Sequence, residues 1–291
     1  MDIGRIGVWT WLDALSPQEA VETARKIEAW GYSALWAPEA VGADPFVLHT
    51  WLAAHTERLI LATGIANIYA RDAMTMRAGR DSLGAVSGGR FVLGLGVSHA
   101  PMVTGIRGHE YGKPVSSMRN YLETLEKAIY QGQAPPEPVP VVLAALRPRM
   151  LALAAECARG AHPYNVPPEH TERARKILGP TPWLCPDQKV MLERDPSVAR
   201  QAIRANLGVY LTLPNYQNNW KWLGFDDSDF SDGGSNRLID SLVAWGDEEA
   251  LRARIKAHHD AGADHVCVQP LRSDGKPGPD LRALEALAPS P

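Results

Sequence analysis

Cysteine is scarce: three in 291 residues, Cys157, Cys185 and Cys267, with no C-x-x-C pair among them. So odd and scattered a set excludes a disulfide framework and a thiolate zinc site, and predicts thiols packed as small hydrophobes. Charge of one sign is lacking too. Thirty Lys and Arg against 33 Asp and Glu leave a net charge of −3, with no general attraction to nucleic-acid phosphates or anionic lipid. No apolar run approaches the ~20 residues of a membrane helix, and no signal-like apolar segment precedes the first strand-like stretch. These absences leave a cytoplasmic protein whose partner is a small molecule, not a nucleic acid or a membrane.

What is present is a rhythm. Ile6-Gly7-Val8-Trp9 reads as a buried strand, and Ser16-Pro17-Gln18-Glu19 as a capping box opening a helix that Gly31 ends. Ala34–Ala37, Leu59–Ile68 and Arg90–Leu95 read as further strands, separated by helices opening at Asp44-Pro45 and Asp72. Further strands are expected at Val139–Ala145, Ala161-His162, Gln188–Leu192 and His265–Gln269. The intervening helices are Val115–Tyr130, Pro148–Ala158, Pro168–Leu178, Asp195 to Leu211 and Asp247–Ala261. Strands apolar on both faces, each followed by a helix, predict a parallel sheet covered by helices. The count favours an α/β fold of the closed (β/α)8 TIM-barrel type, one domain over residues 1–291, with an insertion at about 212–246 between strand seven and the last barrel helix. That insertion holds Tyr216, Trp220, Trp222, Phe225, Phe230 and Trp245. Its two readings are a lid or binding wall, and a helical piece packing outside the barrel or against a second copy.

In such barrels the site lies where the strands end. No H-E-x-x-H, G-x-S-x-G or G-x-x-x-x-G-K-[ST] occurs, so metallohydrolase, serine-hydrolase and phosphate-loop chemistry lack their marks, and no metal is expected. Gly94-x-Gly96-x-x-His99 lacks the third glycine of a dinucleotide fingerprint, although its glycines predict a close backbone approach. What gathers at the strand ends is aromatic and polar-tipped: Trp9, Trp11, Trp36, Tyr69, Tyr111 and Tyr164 with Glu39, Asn67, Ser98, His99 and His162. That set suits either a flat conjugated cofactor bringing its own chemistry or a cofactor-free isomerase or lyase.

Leu35-Trp36-Ala37-Pro38-Glu39, Leu61 to Ile68, Arg90 to His99 and Gly160-Ala161-His162-Pro163-Tyr164 resemble the bacterial luciferase-like superfamily, in particular its coenzyme F420-dependent oxidoreductases. The resemblance implies a deazaflavin, F420, with FMN and monooxygenase chemistry as the alternative and a non-catalytic flavin-binding relative as a third reading. It implies a cofactor ring against the third strand, with a non-prolyl cis peptide at Ile65–Ala66 or one residue earlier. By the same match, cofactor contacts fall on Glu39, Ile65, Ala66, Asn67, Gly96, Val97, Ser98 and His99. The phosphate side falls on Ala145, Leu146, Arg147, His162, Pro163 and Tyr164, where Arg147 either meets phosphate or caps its helix. His99 stands where related sugar-phosphate dehydrogenases carry an acidic residue, so His99 or Glu39 is the expected proton carrier, with a structural His99 as the other reading. Trp9, Trp11, Tyr69, Tyr111, Tyr216 and Trp220 are expected to wall the substrate. Members are often dimers through their early helices, which carries over the expectation of a homodimer.

Overall fold

The computed structural model describes residues 1–289. Its first half runs β1 (Ile6–Trp9), α1 (Pro17–Ala29), β2 (Ala34–Ala37), α2 (Pro45–Ala53), β3 (Ile60–Thr63), β4 (Ala66–Asn67), α3 (Ala73–Val86) and β5 (Phe91–Gly96). A π-helical turn at Pro101–Ile106 leads to α4 (Pro114–Lys127), β6 (Val141–Leu143), α5 (Pro148–Cys157), β7 (Gly160–Ala161), α6 (Pro168–Leu178), β8 (Trp183–Leu184) and β9 (Asp187–Leu192). Then come α7 (Pro196–Leu211), α8 (Pro214–Leu223), a 3-10 turn at Asp227–Phe230, α9 (Asn236–Leu242), β10 (Val243–Gly246), α10 (Glu248–Asp260), β11 (Val266–Pro270) and α11 (Leu281–Ala286).

The helix starts follow from local chemistry. Ser16 and Glu19 form the expected reciprocal capping box on α1, and Asp44, Asp72, Asp195 and Asp247 each accept backbone N–H groups at helix starts. Such caps are worth about 1 kcal/mol each. Proline at the first helical position, as in α1, α2, α5 and α7, removes a donor that would be unpaired there anyway.

The strands form one sheet in the order β10-β9-β11-β1-β2-β3-β5-β6-β7-β8, with β4 on β5 and every pairing parallel. The sheet curls into a half-barrel, and its path leads back on itself. Trp183–Leu184 runs through Cys185-Pro186 directly into Asp187–Leu192, while Cys185 N donates to Ala161 O at 2.9 Å and Cys267 N to Pro186 O at 2.9 Å. Alternation within the buried strands sorts two apolar layers. Val8, Leu35, Leu61 and Leu93 pack outward against helices, whereas Trp9, Trp36, Ala62, Val92, Val142 and Cys267 form a separate inner cluster. A third cluster joins α7, α8 and α9 around Leu207, Trp220 and Leu238.

Several boundaries differ from expectation. The third strand divides at Gly64–Ile65, whose peptide bond is cis, the earlier of the two expected positions. The sixth strand is Gly160–Ala161 rather than Ala161-His162, and α4 stops at Lys127 rather than Tyr130. Trp183–Leu184 was not foreseen, because two residues between prolines 182 and 186 are too short to show a period. Residues 212–246 are no loop: they fold as helices and a strand, β10, whose Val243 pairs with Lys189 of β9. Among the described residues no helix is long and apolar enough to cross a membrane.

Candidate active site

A cavity of about 990 Å³ lies where β1, β2, β3, β5, β6 and β7 end, roofed by α7 and α8. Its floor is made by backbone shape. Ile65 projects from the interrupted third strand, and Trp9 Nε1 donates to Gly64 O at 2.9 Å. The neighbouring glycines are the reason this fits. A Cβ on Gly94 would sit 2.0 Å from Thr63 O, and one on Gly96 would sit 2.4 Å from Ile65 Cδ1. Gly94-x-Gly96 therefore makes room for the adjoining strand and its Ile65 side chain; the close approach read from these glycines is within the protein. Thr63 locks the join, donating to Gly94 O and accepting from Gly94 N, both at 2.8 Å.

Glu39 lies beside this floor, and its carboxylate is already occupied. Arg71 Nη1 donates to both oxygens at 2.9 Å, Asn67 N donates at 2.8 Å, and Arg107 Nη2 lies 3.7 Å away. Arg71 also pairs with Asp44. A carboxylate enclosed by two guanidiniums and an N–H is held as an acceptor, so this geometry ties the ends of β2 and β4 together. It does not suit the expected role of Glu39 as proton donor.

His99 is placed differently. Its ring lies 5.5 Å from that of Tyr216 and lines the cavity. Burial lowers its pKa, against the pull of the Asn215 side chain beside it, so the ring is neutral at pH 7. Ser98 precedes it with φ of 55°, and Tyr111 Oη donates to Ser98 O at 3.2 Å, which fixes the turn. Val97 and Gly96 complete this wall.

The adjoining wall, after β6, presents a helix start. Arg147 is the N-cap of α5 without a side-chain cap, Pro148 follows, and Arg149 and Lys113 also line the cavity. Met150 N and Leu151 N both donate to Arg147 O, so the Arg149 N–H, the helix dipole and the cationic side chains are what suit an anionic group. Ala145 and Leu146 line the cavity here, and buried His170 Nε2 donates to Leu146 O at 2.6 Å. His162 stacks on Trp36 with ring centroids 4.7 Å apart. Its Nδ1 donates to Cys185 O at 2.7 Å, and burial pushes its pKa down to about 4. The buried Nε2 is therefore an acceptor, and it has no partner among the described residues.

Trp9, Trp11, Tyr111, Tyr164 and Tyr216 line the cavity. Five other expected residues do not. Ala66 and Asn67 pair with β5, and Pro163 O accepts from Asp187 N. Tyr69 Oη accepts from Gly112 N, behind Tyr111. Trp220 is fully buried behind Tyr216, with Nε1 donating to Asn165 O at 3.1 Å. Tyr210, Asn215, Lys113 and Arg149 line the cavity without having been foreseen. Lys189 and Asp187, fully buried beneath Tyr164, were missed as well.

A sequence model of the luciferase-like monooxygenase family matches residues 4–265. A Mycobacterium tuberculosis protein, assigned by inference as a coenzyme F420-dependent oxidoreductase, is 30% identical over 123 residues, 42% of this chain and 35% of that protein. The match thus spans about a third of that relative's length. Among solved structures, an F420-dependent secondary alcohol dehydrogenase in complex with an F420-acetone adduct superposes with a TM-score of 0.74 at 14% identity, covering 98% of this chain and 96% of that one. The oxygenating constituent of 3,6-diketocamphane monooxygenase from Pseudomonas putida, in complex with FMN, superposes with a TM-score of 0.72 at 15% identity, covering 98% and 97%. At such identities the superpositions show a shared fold.

Proposed function

The chain belongs to the luciferase-like monooxygenase family, and from that premise we propose that it is an F420-dependent oxidoreductase acting on a small organic substrate. We read its curled sheet as a (β/α)8 barrel in which residues 212–246 are inserted after the seventh strand. The observation carrying the reading is the cavity itself: an Ile65 floor, an unpartnered acceptor at His162 Nε2 and an uncapped helix start with Arg147, Arg149 and Lys113. A flat ring with N–H groups at one edge and an anionic tail matches each of these features. The deazaflavin supplies hydride chemistry, its reactive ring position being carbon.

The chain's own residues divide the remaining work. Ile65 and Trp9 support one ring face, His162 accepts from the ring edge, and the start of α5 receives the tail. Glu39, fixed by Arg71 and Arg107, holds the floor in place. His99, kept neutral by burial, takes a substrate proton in the oxidising direction and returns it as imidazolium in the reducing one. FMN is the second reading, favoured by the fold shared with the FMN-bound monooxygenase at a nearly equal TM-score.

The test is anaerobic oxidation of reduced F420 against a panel of ketones, aldehydes and enones. Consumption with at least one member supports the proposal. Inertness across the panel, with oxygen uptake in the presence of reduced FMN, replaces it with the monooxygenase reading.

A further inference from the structure

One side of the cavity carries a feature the cofactor reading does not use. Tyr164, just after β7, and Tyr210, in the last turn of α7, both line the cavity, and their hydroxyls lie 3.2 Å apart. A phenol has one proton, so one hydroxyl donates to the other and the second proton is left for a ligand. Beneath them lies Lys189, an inward-facing residue of β9 with no solvent exposure. Its Nζ is 3.7 Å from the Tyr164 ring centroid and 5.3 Å from that of Tyr210. Gln269 Oε1 holds it at 2.8 Å, and Asp187 Oδ2 lies 3.5 Å away.

Barrel interiors are normally filled by apolar side chains, and a cation there is costly without close compensation. The compensation here is loose, since Asp187 stands at 3.5 Å and its Oδ1 has no partner among the described residues. Burial lowers Lys189 and raises Asp187, and the attraction between the two opposes both shifts. Burial also holds Tyr164 and Tyr210 above their ordinary range, so they remain phenols and donors. The other groups facing this spot are Tyr216 from α8, whose ring is 5.3 Å from that of Tyr210, and Trp9, 5.0 Å from Tyr164. Asn215 and Asn218 of α8 also line the cavity, and the His99 ring lies 5.5 Å from that of Tyr216.

We infer that Tyr164 and Tyr210, with the Lys189 ammonium behind them, form an oxyanion site that selects a substrate bearing a carbonyl oxygen. The inference rests on the oxidoreductase reading and names the substrate class of that site. A hydride from the reduced deazaflavin of the proposed function, added to the carbonyl carbon, would send the π pair onto oxygen. The free phenol proton and the nearby ammonium stabilise that developing charge, and a proton drawn from solvent through His99 gives the alcohol. Lys189 touches no substrate atom; it is a positioning residue acting through the two rings.

Phenols mimic such an oxyanion and report their own ionisation by absorbance. The purified protein, without added cofactor, is titrated with 4-nitrophenol across the pH range where the free probe ionises. The site is expected to bind the phenolate about tenfold more tightly than the phenol, moving the bound probe's midpoint down by about one pH unit. Lys189→Met and Tyr210→Phe should each abolish that shift while neutral-phenol binding persists. A bound probe ionising where the free one does overturns the inference, as does an equal shift in Lys189→Met. If Lys189→Met does not fold, the double variant Tyr164→Phe/Tyr210→Phe decides alone: loss of the shift supports the site, and retention overturns it. Because no cofactor is present, failure here leaves the F420 assay standing, and failure of that assay leaves this result standing.

Discussion

The two sides of the cavity are built from different materials. The side proposed for the cofactor takes its shape from backbone, namely the interrupted third strand, Gly94 and Gly96 yielding to it, and the uncapped start of α5, with His162 and the Arg147 and Arg149 side chains set on that frame. The side proposed for the substrate is made of side chains converging from distant segments, with Tyr164 after β7, Tyr210 on α7, Tyr216 on α8 and Lys189 on β9. Shape built from backbone leaves a local sequence signature, whereas chemistry built by convergence leaves almost none. One side can then be common to a family while the other sets what a given member acts on.

The largest effect that would sharpen this contrast is acid sensitivity. Four buried imidazoles set it: His162, His170 and His265 have pKa values pushed down to about 4 by burial, and His258 to about 3. A lowered folded pKa means that the unfolded chain binds the proton first, so stability is lost as pH falls from 6.5 towards 4. Asp187, on the substrate side, has the opposite sign. Its folded pKa of about 6 exceeds the unfolded value, and its contribution grows as pH falls through 6. Four imidazoles less one carboxyl give a net slope of up to about 4 kcal/mol per pH unit near pH 5. Denaturant unfolding at pH 7, 6 and 5 measures it; a flat profile would contradict the burial of these rings.

The two glycines provide the next contrast. Gly94→Ala drives a Cβ into the Thr63 carbonyl, which cannot move without breaking the sheet, and should cost at least about 3 kcal/mol, read as a fall in melting temperature. Gly96→Ala meets side chains rather than backbone, Ile65 Cδ1 at 2.4 Å and Cγ1 at 2.6 Å and Ala144 Cβ at 3.3 Å. It should fold and weaken cofactor binding about tenfold by displacing the floor, about 1.4 kcal/mol. Equal stability loss in both would break the account of the floor.

Glu39→Gln should cost about 2–4 kcal/mol of stability by leaving Arg71 and Arg107 under-compensated. Turnover should stay within a few fold at a temperature where the variant is folded. Turnover lost at full stability would return Glu39 to the role of proton carrier. Smallest is Arg149→Ala at the exposed end of the anion cradle, with cofactor affinity falling about threefold and less at high salt; a salt-independent loss would point to packing instead.

The contrast also explains what could be read in advance. Parallel buried strands, proline-led helices and the strand-end windows leave strong local patterns, and most strands and helices lie close to where the pattern puts them. The Gly94/Gly96 pair was visible, but the neighbour it accommodates is 31 residues away, as the Thr63–Gly94 hydrogen bonds show. Lys189 was illegible because Asp187-Gln188-Lys189 resembles any polar strand entry, and only the curl of the sheet turns its side chain inward. Trp220 shows the converse: an aromatic in a conspicuous segment reads as a wall, yet its indole N–H is used against Asn165 O, behind Tyr216. Glu39 was visible as a strand-end carboxylate, whereas Arg71 and Arg107 become its partners only in three dimensions.

The most direct test of the cofactor side is a binding titration of the purified protein with F420 and with FMN, followed by cofactor fluorescence. The account predicts saturable F420 binding at least tenfold tighter than FMN binding, weakened in Gly96→Ala. Preferential binding of FMN, or binding of neither, would contradict it.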